Sequence, residues 1–237
     1  MSRPTPSAGA WRLAAPVDLD GIAAMAGAER LAVLGGFHPV PADGAPPGTE
    51  TLLLLGPEGP AFWPHVNAAP EFRDGAADPL DRWSRRVIGG MACAVGGKAR
   101  FPFDGPPWAP FQSWALRTGR CWQSPVRLLV HDRAGLWVSF RGALALKARL
   151  SLPPPGPSPC DGCPAPCLTA CPVGALGAAG YDVPACRDFL DTEAGRDCMG
   201  LGCAVRRACP ISAAHGRDPA QSAWHMRRFH HPRRGTA

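Results

Sequence analysis

The chain has 237 residues, 46% of them hydrophobic, and its 25 Lys and Arg against 19 Asp and Glu give a formal charge of +6. No uninterrupted apolar run reaches the roughly 18 residues that cross a bilayer, and the N-terminal stretch carries no export signal, so we expect a cytoplasmic protein with no membrane partner. The length fits one substantial domain with a smaller module. Ten cysteines in such a chain point to metal or redox chemistry and exclude a disulfide scaffold.

The N-terminal part of the chain predicts a helix followed by a strand. Residues 18–36 are predicted to form one helix, with Asp18 as its cap and the pair Gly35-Gly36 at its end. The aliphatic stretch ETLLLLG that follows is too short for an amphipathic helix and predicts a buried strand.

The next segments also mix the two kinds of structure. Residues 78–97 predict a second helix, which has Pro79 in its first turn and one apolar face. The aromatic stretch 101–122 predicts either a wall over a planar cofactor or ordinary core. Residues 124–146 predict a hairpin whose polar turn lies at 132–135. The predicted fold class is therefore α+β.

A proline-rich stretch divides the chain. SLPPPGPSP, residues 151–159, has five prolines in nine residues, which favours an extended connector. Eight of the ten cysteines follow it, and the isolated Cys93 and Cys121 are predicted to be small buried apolar residues. The predicted domains are an α+β domain at 1–152, a linker at 153–159, and a cysteine-rich domain with a basic tail at 160–237.

The spacing of the last eight cysteines predicts iron-sulfur clusters. CDGCPAPCLTACP, residues 160–172, is close to the bacterial ferredoxin run C-x2-C-x2-C-x3-C-P, in which the cysteine before proline ligates the other cluster. A complementary set downstream ends in Cys209-Pro210. Exchange of the two proline-linked cysteines predicts two ligand sets, each for one 4Fe-4S cluster: a first set of Cys160, Cys163, Cys167 and Cys209, and a second set of Cys171, Cys186, Cys198 and Cys203.

Structural zinc is the alternative interpretation of the same cysteines, because zinc also binds four thiolates. Zinc sites usually contain paired C-x2-C motifs, and this chain has one. Two four-iron clusters would add about −4 and bring the formal charge of +6 close to +2, so the charge does not indicate a nucleic-acid partner.

Three short motifs resemble the dicluster ferredoxin domain of the epoxyqueuosine reductase family. They are CPVGAL at 171–176, CRDFL at 186–190 and RACP at 207–210. The resemblance implies that the lone cysteine, Cys186, ligates the second cluster. The helical repeat domain that often follows in that family does not occur here, so we do not expect its tRNA-modifying reaction.

The stretch HDRAGLWVSFRG resembles the CblC-type cobalamin-processing family, which is nitroreductase-like, through His131, Trp137 and Arg141. LLLLGPEGPAFWPHV, residues 52–66, resembles the strand and helix that precede it in that family. The resemblance implies a corrinoid, or alternatively a flavin, in the first domain, with Arg141 lining the pocket. The ordinary alternative makes Arg141 a sheet-surface residue, His131 a turn cap and Trp137 part of the core.

These patterns together predict an oxidoreductase that passes single electrons from a donor protein, through two 4Fe-4S clusters, to a corrinoid or flavin. No general acid or nucleophile stands out, so no catalytic residue is predicted. Two alternatives are open. One is a non-enzymatic ferredoxin-like carrier whose first domain docks a partner enzyme, and the other is a cobalamin chaperone whose clusters are structural. The basic tail, 225–237, either docks an acidic partner or is a solvated end.

Overall fold

The computed structural model describes residues 17–230, so most of the N-terminal stretch considered for an export signal and the end of the basic tail lie outside the described residues. The helices are, in chain order, α1 (Leu19–Ala28), α2 (Phe62–Asn67), α3 (Pro79–Ala94), α4 (Phe111–Arg117), α5 (Val183–Leu190), α6 (Arg196–Leu201), α7 (Ala204–Ala208), α8 (Pro210–His215) and α9 (Pro219–His230). The strands are β1 (Leu31–Phe37), β2 (Thr51–Pro57), β3 (Lys98–Arg100), β4 (Cys121–Gln123), β5 (Leu129–His131), β6 (Gly142–Leu146), β7 (Leu176–Gly177) and β8 (Gly180–Tyr181). The predicted α+β class is confirmed.

Two compact units divide the chain, and the division differs from the predicted single boundary at 153–159. The first unit comprises the described residues up to Glu58, then Pro64–Gly119 and Ser139–Pro155. The second comprises Gly59–Trp63, Arg120–Val138 and the described residues from Gly156 onward. Residues 120–138 join the cysteine-rich unit because their apolar side chains share a core with its cysteines.

A four-stranded antiparallel sheet in the order β1-β2-β6-β3 forms the centre of the first unit. Every residue of β2 and β6 is buried, and Leu53 lies opposite Leu144. Helix α3 packs on β6 and β3, while α1 packs on β1. The buried aliphatic strand predicted from ETLLLLG is confirmed as β2, and its burial on both faces explains why its side chains do not alternate in polarity.

The prediction of one helix over residues 18–36 is wrong in its second half. The Asp18 carboxylate accepts the Gly21 backbone N–H at 2.7 Å as the predicted cap, but α1 ends at Ala28. The chain then turns into β1, which pairs with β2 over its whole length. Gly35 does not end a helix; it lies in β1 at φ +145, where a Cβ would stand 2.7 Å from Thr118 Cβ.

The second predicted helix is confirmed as α3. Pro79 occupies its first turn, as the sequence indicates. Its apolar face is buried and comprises Leu80, Trp83, Val87 and Met91.

The predicted hairpin over residues 124–146 is wrong. β5 pairs with β4, whereas β6 pairs with β2 and β3 of the sheet in the first unit. His131 and Gly135 exchange backbone hydrogen bonds of 3.0 and 2.9 Å, and a further turn follows in which Trp137 N–H reaches Ala134 O at 3.0 Å. These consecutive turns lead the chain away from β5, so no returning strand forms beside it.

Short elements make up the second unit. β4 pairs with β5 and β7 pairs with β8, while α6 packs on α9 and α7 on a 3-10 turn at Pro166–Leu168. Its core combines aliphatic side chains with two cysteines: Val126, Val130, Leu136, Leu176, Val205, Cys167 and Cys209. Within the part of the chain that the structure describes, no helix has the length and apolar character needed to cross a membrane.

Candidate metal centres

Four thiols surround one cavity in the second unit. The cavity has a volume of about 290 Å³, and its lining includes all four cysteines of the predicted first set: Cys160, Cys163, Cys167 and Cys209. Two of these lie in the loop after the proline-rich stretch, where Gly162 at φ +72 lets the Cys163 N–H return to Cys160 O at 3.2 Å. The local turn thus brings the first two thiols to the same side.

The other two thiols of this cavity come from fixed points of the fold. Cys167 lies in the 3-10 turn Pro166–Leu168 and is 6% exposed. Cys209 ends α7 and precedes α8 in extended conformation, and Pro210 opens α8. Because proline fits only the first turn of a helix, the Cys-Pro step sets where α8 starts and holds Cys209 at the junction of the two helices.

The wall of this cavity is mostly apolar apart from its cysteines, Ser124 and Asp161. Val130, Leu136 and Ile211 contribute to it together with several prolines. Among the described residues of the lining, Asp161 is the one with a charged side chain, and it is exposed. Cys167 and Cys209 are buried, whereas Cys160 and Cys163 are partly exposed.

The thiols of this group interact electrostatically with each other. Burial raises the pKa of the Cys160 thiol, and the neighbouring Cys163, Cys167 and Cys209 raise it further. Burial also raises the pKa of Cys167, with additional contributions from Cys209 and Cys163 that its backbone hydrogen bonds oppose. Four thiols gathered in an apolar wall resist ionisation unless a positively charged group offsets their charge, as a metal centre does.

A second group of four thiols has the membership of the predicted second set. Burial raises the pKa of Cys186, the Tyr181 hydroxyl lowers it, and Cys203, Cys171 and Cys198 raise it. Three of the four lie on or beside short helices: Cys186 in α5, Cys198 in α6 and Cys203 before α7. Cys171 follows the 3-10 turn that carries Cys167, so one loop supplies both groups.

Two polar side chains beside the second group carry no signal in the cysteine spacing. The Tyr181 hydroxyl donates a hydrogen bond to Cys186 Sγ at 3.3 Å. Arg206 interacts electrostatically with Cys203 and with Tyr181, and burial lowers its pKa. The signals that could have drawn attention to them are the position of the chain's single tyrosine five residues before Cys186 and that of an arginine three residues after Cys203.

Within residues 17–230, no three His, Cys, Asp or Glu side chains are arranged as ligands of one metal ion. The remaining two cysteines stand apart from both groups. Cys121 is 2% exposed, and its pKa is raised to about 12 by burial and by Asp132, so its prediction as a buried residue is confirmed. Cys93 is exposed, and the same prediction for it is wrong, because this position of α3 faces away from the sheet.

The two units divide the three residues of the CblC-type resemblance. His131 and Trp137 lie in the second unit and Arg141 lies in the first, so neither unit brings the three together. His131 is fully buried in β5, and its Nδ1 accepts the backbone N–H groups of Arg133 and Ala134 at 3.1 Å each. This is the turn-capping role of the ordinary alternative. Trp137 is 9% exposed and therefore belongs to the core of its unit.

Arg141 directly precedes β6 in the first unit and lies beside β2. Its backbone N–H donates to Leu55 O at 2.8 Å, and its guanidinium donates to Asp81 at 3.0 Å and lies 5.4 Å from the centre of the Phe103 ring. Burial lowers the pKa of Arg141, and Asp81 opposes that change. The side chain is thus held by a carboxylate and an aromatic ring of its own unit.

The first unit contains a cavity of about 770 Å³ along the loop 99–110. The aromatic stretch divides there: Phe101 and Trp114 are buried at 6% and 1%, whereas Trp108 is 63% exposed. Arg85 lies over the rings of Phe101 and Phe103 and donates to Asp104 at 2.8 Å. The predicted core interpretation holds for three of the six rings, Phe101, Phe111 and Trp114, whereas Trp108 exposes its ring at the cavity.

Comparison of the chain with protein-family models, with curated proteins and with solved structures gives no match in any of the three. A function must therefore be inferred from the residues themselves.

Proposed function

We propose that the protein is an iron-sulfur oxidoreductase that carries single electrons through two 4Fe-4S clusters to an acceptor bound in the first unit. The observation that carries the proposal is the gathering of eight cysteines into two groups of four with the membership that the ferredoxin exchange predicts. When bound, each cluster accepts and releases one electron at a time. The thiol-rich second unit would work in a reducing compartment such as the cytoplasm.

The first group fits such a centre in volume and chemistry. Its cavity is about 290 Å³ and is lined by four thiols and apolar side chains. Val130, Leu136 and Ile211 give the thiols apolar surroundings, which are one of the ways a protein sets a cluster's reduction potential.

The acceptor is proposed to be a corrinoid, or alternatively a flavin, through the resemblance of HDRAGLWVSFRG and of residues 52–66 to the CblC-type, nitroreductase-like family. The cavity of about 770 Å³ is the candidate place for it, because Trp108 offers an exposed ring for stacking and Arg85 and Arg100 offer positive charge. A carrier that docks a partner enzyme, and a chaperone with structural clusters, are the rival functions. The resemblance of the second unit to the dicluster domain of epoxyqueuosine reductase is part of the same proposal.

The test is anaerobic purification of the full chain from iron-replete cells, with iron, sulfide and zinc counted per chain. We expect about eight irons and eight sulfides. The reduced protein is then titrated with cob(III)alamin and, separately, with flavin mononucleotide. A change in the absorption spectrum of either acceptor at one equivalent supports the oxidoreductase. Trp108→Ala should weaken that change while leaving the iron count unchanged.

Other outcomes discriminate between the rivals. Eight irons without electron transfer to either acceptor favour the carrier. Corrinoid binding without a redox change favours the chaperone. Zinc in place of iron would end the proposal.

A further inference from the structure

The two thiol groups differ in the polar groups that surround them. In the first group, the wall is mostly apolar, with the Ser124 hydroxyl, and the described side chain in it that can bear a charge is Asp161, which is an acid. Its thiols receive hydrogen bonds from the Ala165 backbone N–H, which reaches Cys163 Sγ at 3.4 Å, from the Ser158 side chain at Cys160, and from backbone N–H groups at Cys167. Negative charge and apolar surroundings both disfavour the additional electron that a cluster takes up on reduction.

Tyr181 gives the second group a side-chain hydrogen bond. The residue lies in β8, paired with Leu176 of β7, and its ring stacks on Phe229 at 6.1 Å between centres and 15° between planes. These contacts hold the ring although 43% of the residue is exposed, and its hydroxyl reaches Cys186 Sγ at 3.3 Å. A hydrogen bond to a ligand sulfur stabilises the more negative, reduced state of a bound cluster.

Arg206 adds positive charge to the same group. It lies in α7, three residues after Cys203, and its guanidinium donates to Leu136 O at 2.6 Å. Within residues 17–230 no carboxylate forms an ion pair with it, whereas its neighbour Arg207 is paired with Asp197. A guanidinium without a carboxylate partner that interacts electrostatically with Cys203 stabilises added negative charge there.

We infer that Tyr181 and Arg206 give the cluster bound by the second group a higher reduction potential than the cluster bound by the first, so that electrons move from the first group to the second. This inference rests on the proposed function. The electron balance is simple: one electron leaves the centre held by Cys160, Cys163, Cys167 and Cys209, and the same electron enters the centre held by Cys171, Cys186, Cys198 and Cys203. No proton or other reactant is required for this step.

The experiment is a potentiometric titration of the anaerobic, iron-loaded full chain, followed by absorbance and by electron paramagnetic resonance. Two reduction waves are expected in the wild type. Cys163→Ser should remove the wave at lower potential and Cys203→Ser the wave at higher potential, which assigns each wave to a group. Tyr181→Phe, which keeps the ring and removes only the hydroxyl of the single tyrosine, should shift the higher wave downward and leave the lower wave in place.

Arg206→Gln should also shift the higher wave downward. Arg196→Gln is its matched control, because it removes the same charge from a side chain that is 80% exposed, and it should shift neither wave. If Arg206→Gln fails to retain eight irons, Tyr181→Phe decides the question by itself.

The inference is overturned if the two waves coincide in the wild type, if Tyr181→Phe shifts neither wave, or if it shifts the wave that Cys163→Ser removes. Each of these results leaves the iron count at about eight, so the proposed function would survive. A chain that binds no iron overturns both.

Discussion

The Ser212 hydroxyl accepts a hydrogen bond of 2.8 Å from the backbone N–H of Leu136, and each residue is 1% exposed. The bond joins a cavity-lining residue to α8, the helix that begins directly after Cys209. Gly135 permits the close approach, because its φ is +56 and a Cβ there would stand 2.5 Å from the Ser212 hydroxyl. The position of Cys209 therefore depends on a contact in which no cysteine takes part.

Ser212→Ala should destabilise the second unit. It leaves the Leu136 N–H buried without its acceptor, which lowers the free energy of unfolding by about 1 to 3 kcal/mol. Urea unfolding of the anaerobic protein, followed by circular dichroism, measures the change. Ala213→Ser, at an exposed position of the same helix, is the matched control and should stay within about 0.5 kcal/mol of the wild type. Equal midpoints for Ser212→Ala and the wild type would show that this hydrogen bond contributes nothing.

The exchange of the proline-linked cysteines can be tested by counting iron in double variants. The double variant Cys163→Ser/Cys209→Ser changes two members of one group, so about four irons should remain per chain. Cys163→Ser with Cys171→Ser changes one member of each group, so both clusters should be lost. The single variant Cys93→Ser, at an exposed cysteine outside both groups, is the control and should keep about eight irons.

The reverse result would assign Cys171 to the first group. In that case Cys163→Ser with Cys171→Ser would keep about four irons, and Cys163→Ser with Cys209→Ser would lose both clusters. Iron and sulfide analysis of the two double variants, prepared side by side, distinguishes the two partitions without any assay of activity.

The assignment of eight cysteines to two ligand sets stays a prediction, and local features of the chain explain part of their arrangement around the cavity. Turns at Gly162 and Pro166 bring neighbouring cysteines together, and proline after Cys209 marks a fixed helix start. The surroundings of the groups were not predictable. Tyr181 donates to Cys186 Sγ from β8, a contact that the spacing of the cysteines does not express.

The errors in the fold have a common physical cause. Residues 31–37 suit a helix about as well as a strand, and pairing with β2 some twenty residues later decides between them. Likewise the sequence predicts that β6 pairs with β5, its neighbour in sequence, but β6 pairs with β2, which lies about ninety residues away. Which strands pair depends on burial across the whole sheet. Proximity in sequence therefore does not predict the partner of a strand where two buried aliphatic strands could pair with it.

The two cysteines outside the groups should differ sharply in reactivity. Cys93 is exposed and should be alkylated in the native protein, whereas Cys121 should react only after unfolding, because burial and the charge of Asp132 raise its pKa to about 12. Peptide mass mapping after a short iodoacetamide pulse at about pH 8 measures both sites. Cys93→Ser should abolish the native signal, and rapid labelling of Cys121 in the native protein would contradict its burial.

The ion pair of Glu71 with Arg86 should make stability depend on pH. Arg86 donates to the two Glu71 oxygens at 2.5 and 3.1 Å. Burial by itself raises the pKa of Glu71, but the Arg86 hydrogen bonds and the charges of Arg86 and Arg82 outweigh it and hold the pKa below the ordinary 4.5. Because the folded pKa is lower than the unfolded one, the stabilisation is present above the unfolded value and is lost as the pH falls through the folded value.

Glu71→Gln should therefore lower the free energy of unfolding by about 1 to 2 kcal/mol at neutral pH, with the difference from the wild type shrinking as the pH falls below 4.5. Glu50→Gln is the control, since Glu50 and Arg149 are 55% and 63% exposed and 3.5 Å apart, and it should change stability by at most about 0.5 kcal/mol. Urea unfolding across the acid range measures both variants, and a Glu71→Gln effect that stays constant with pH would contradict a role for the carboxylate charge.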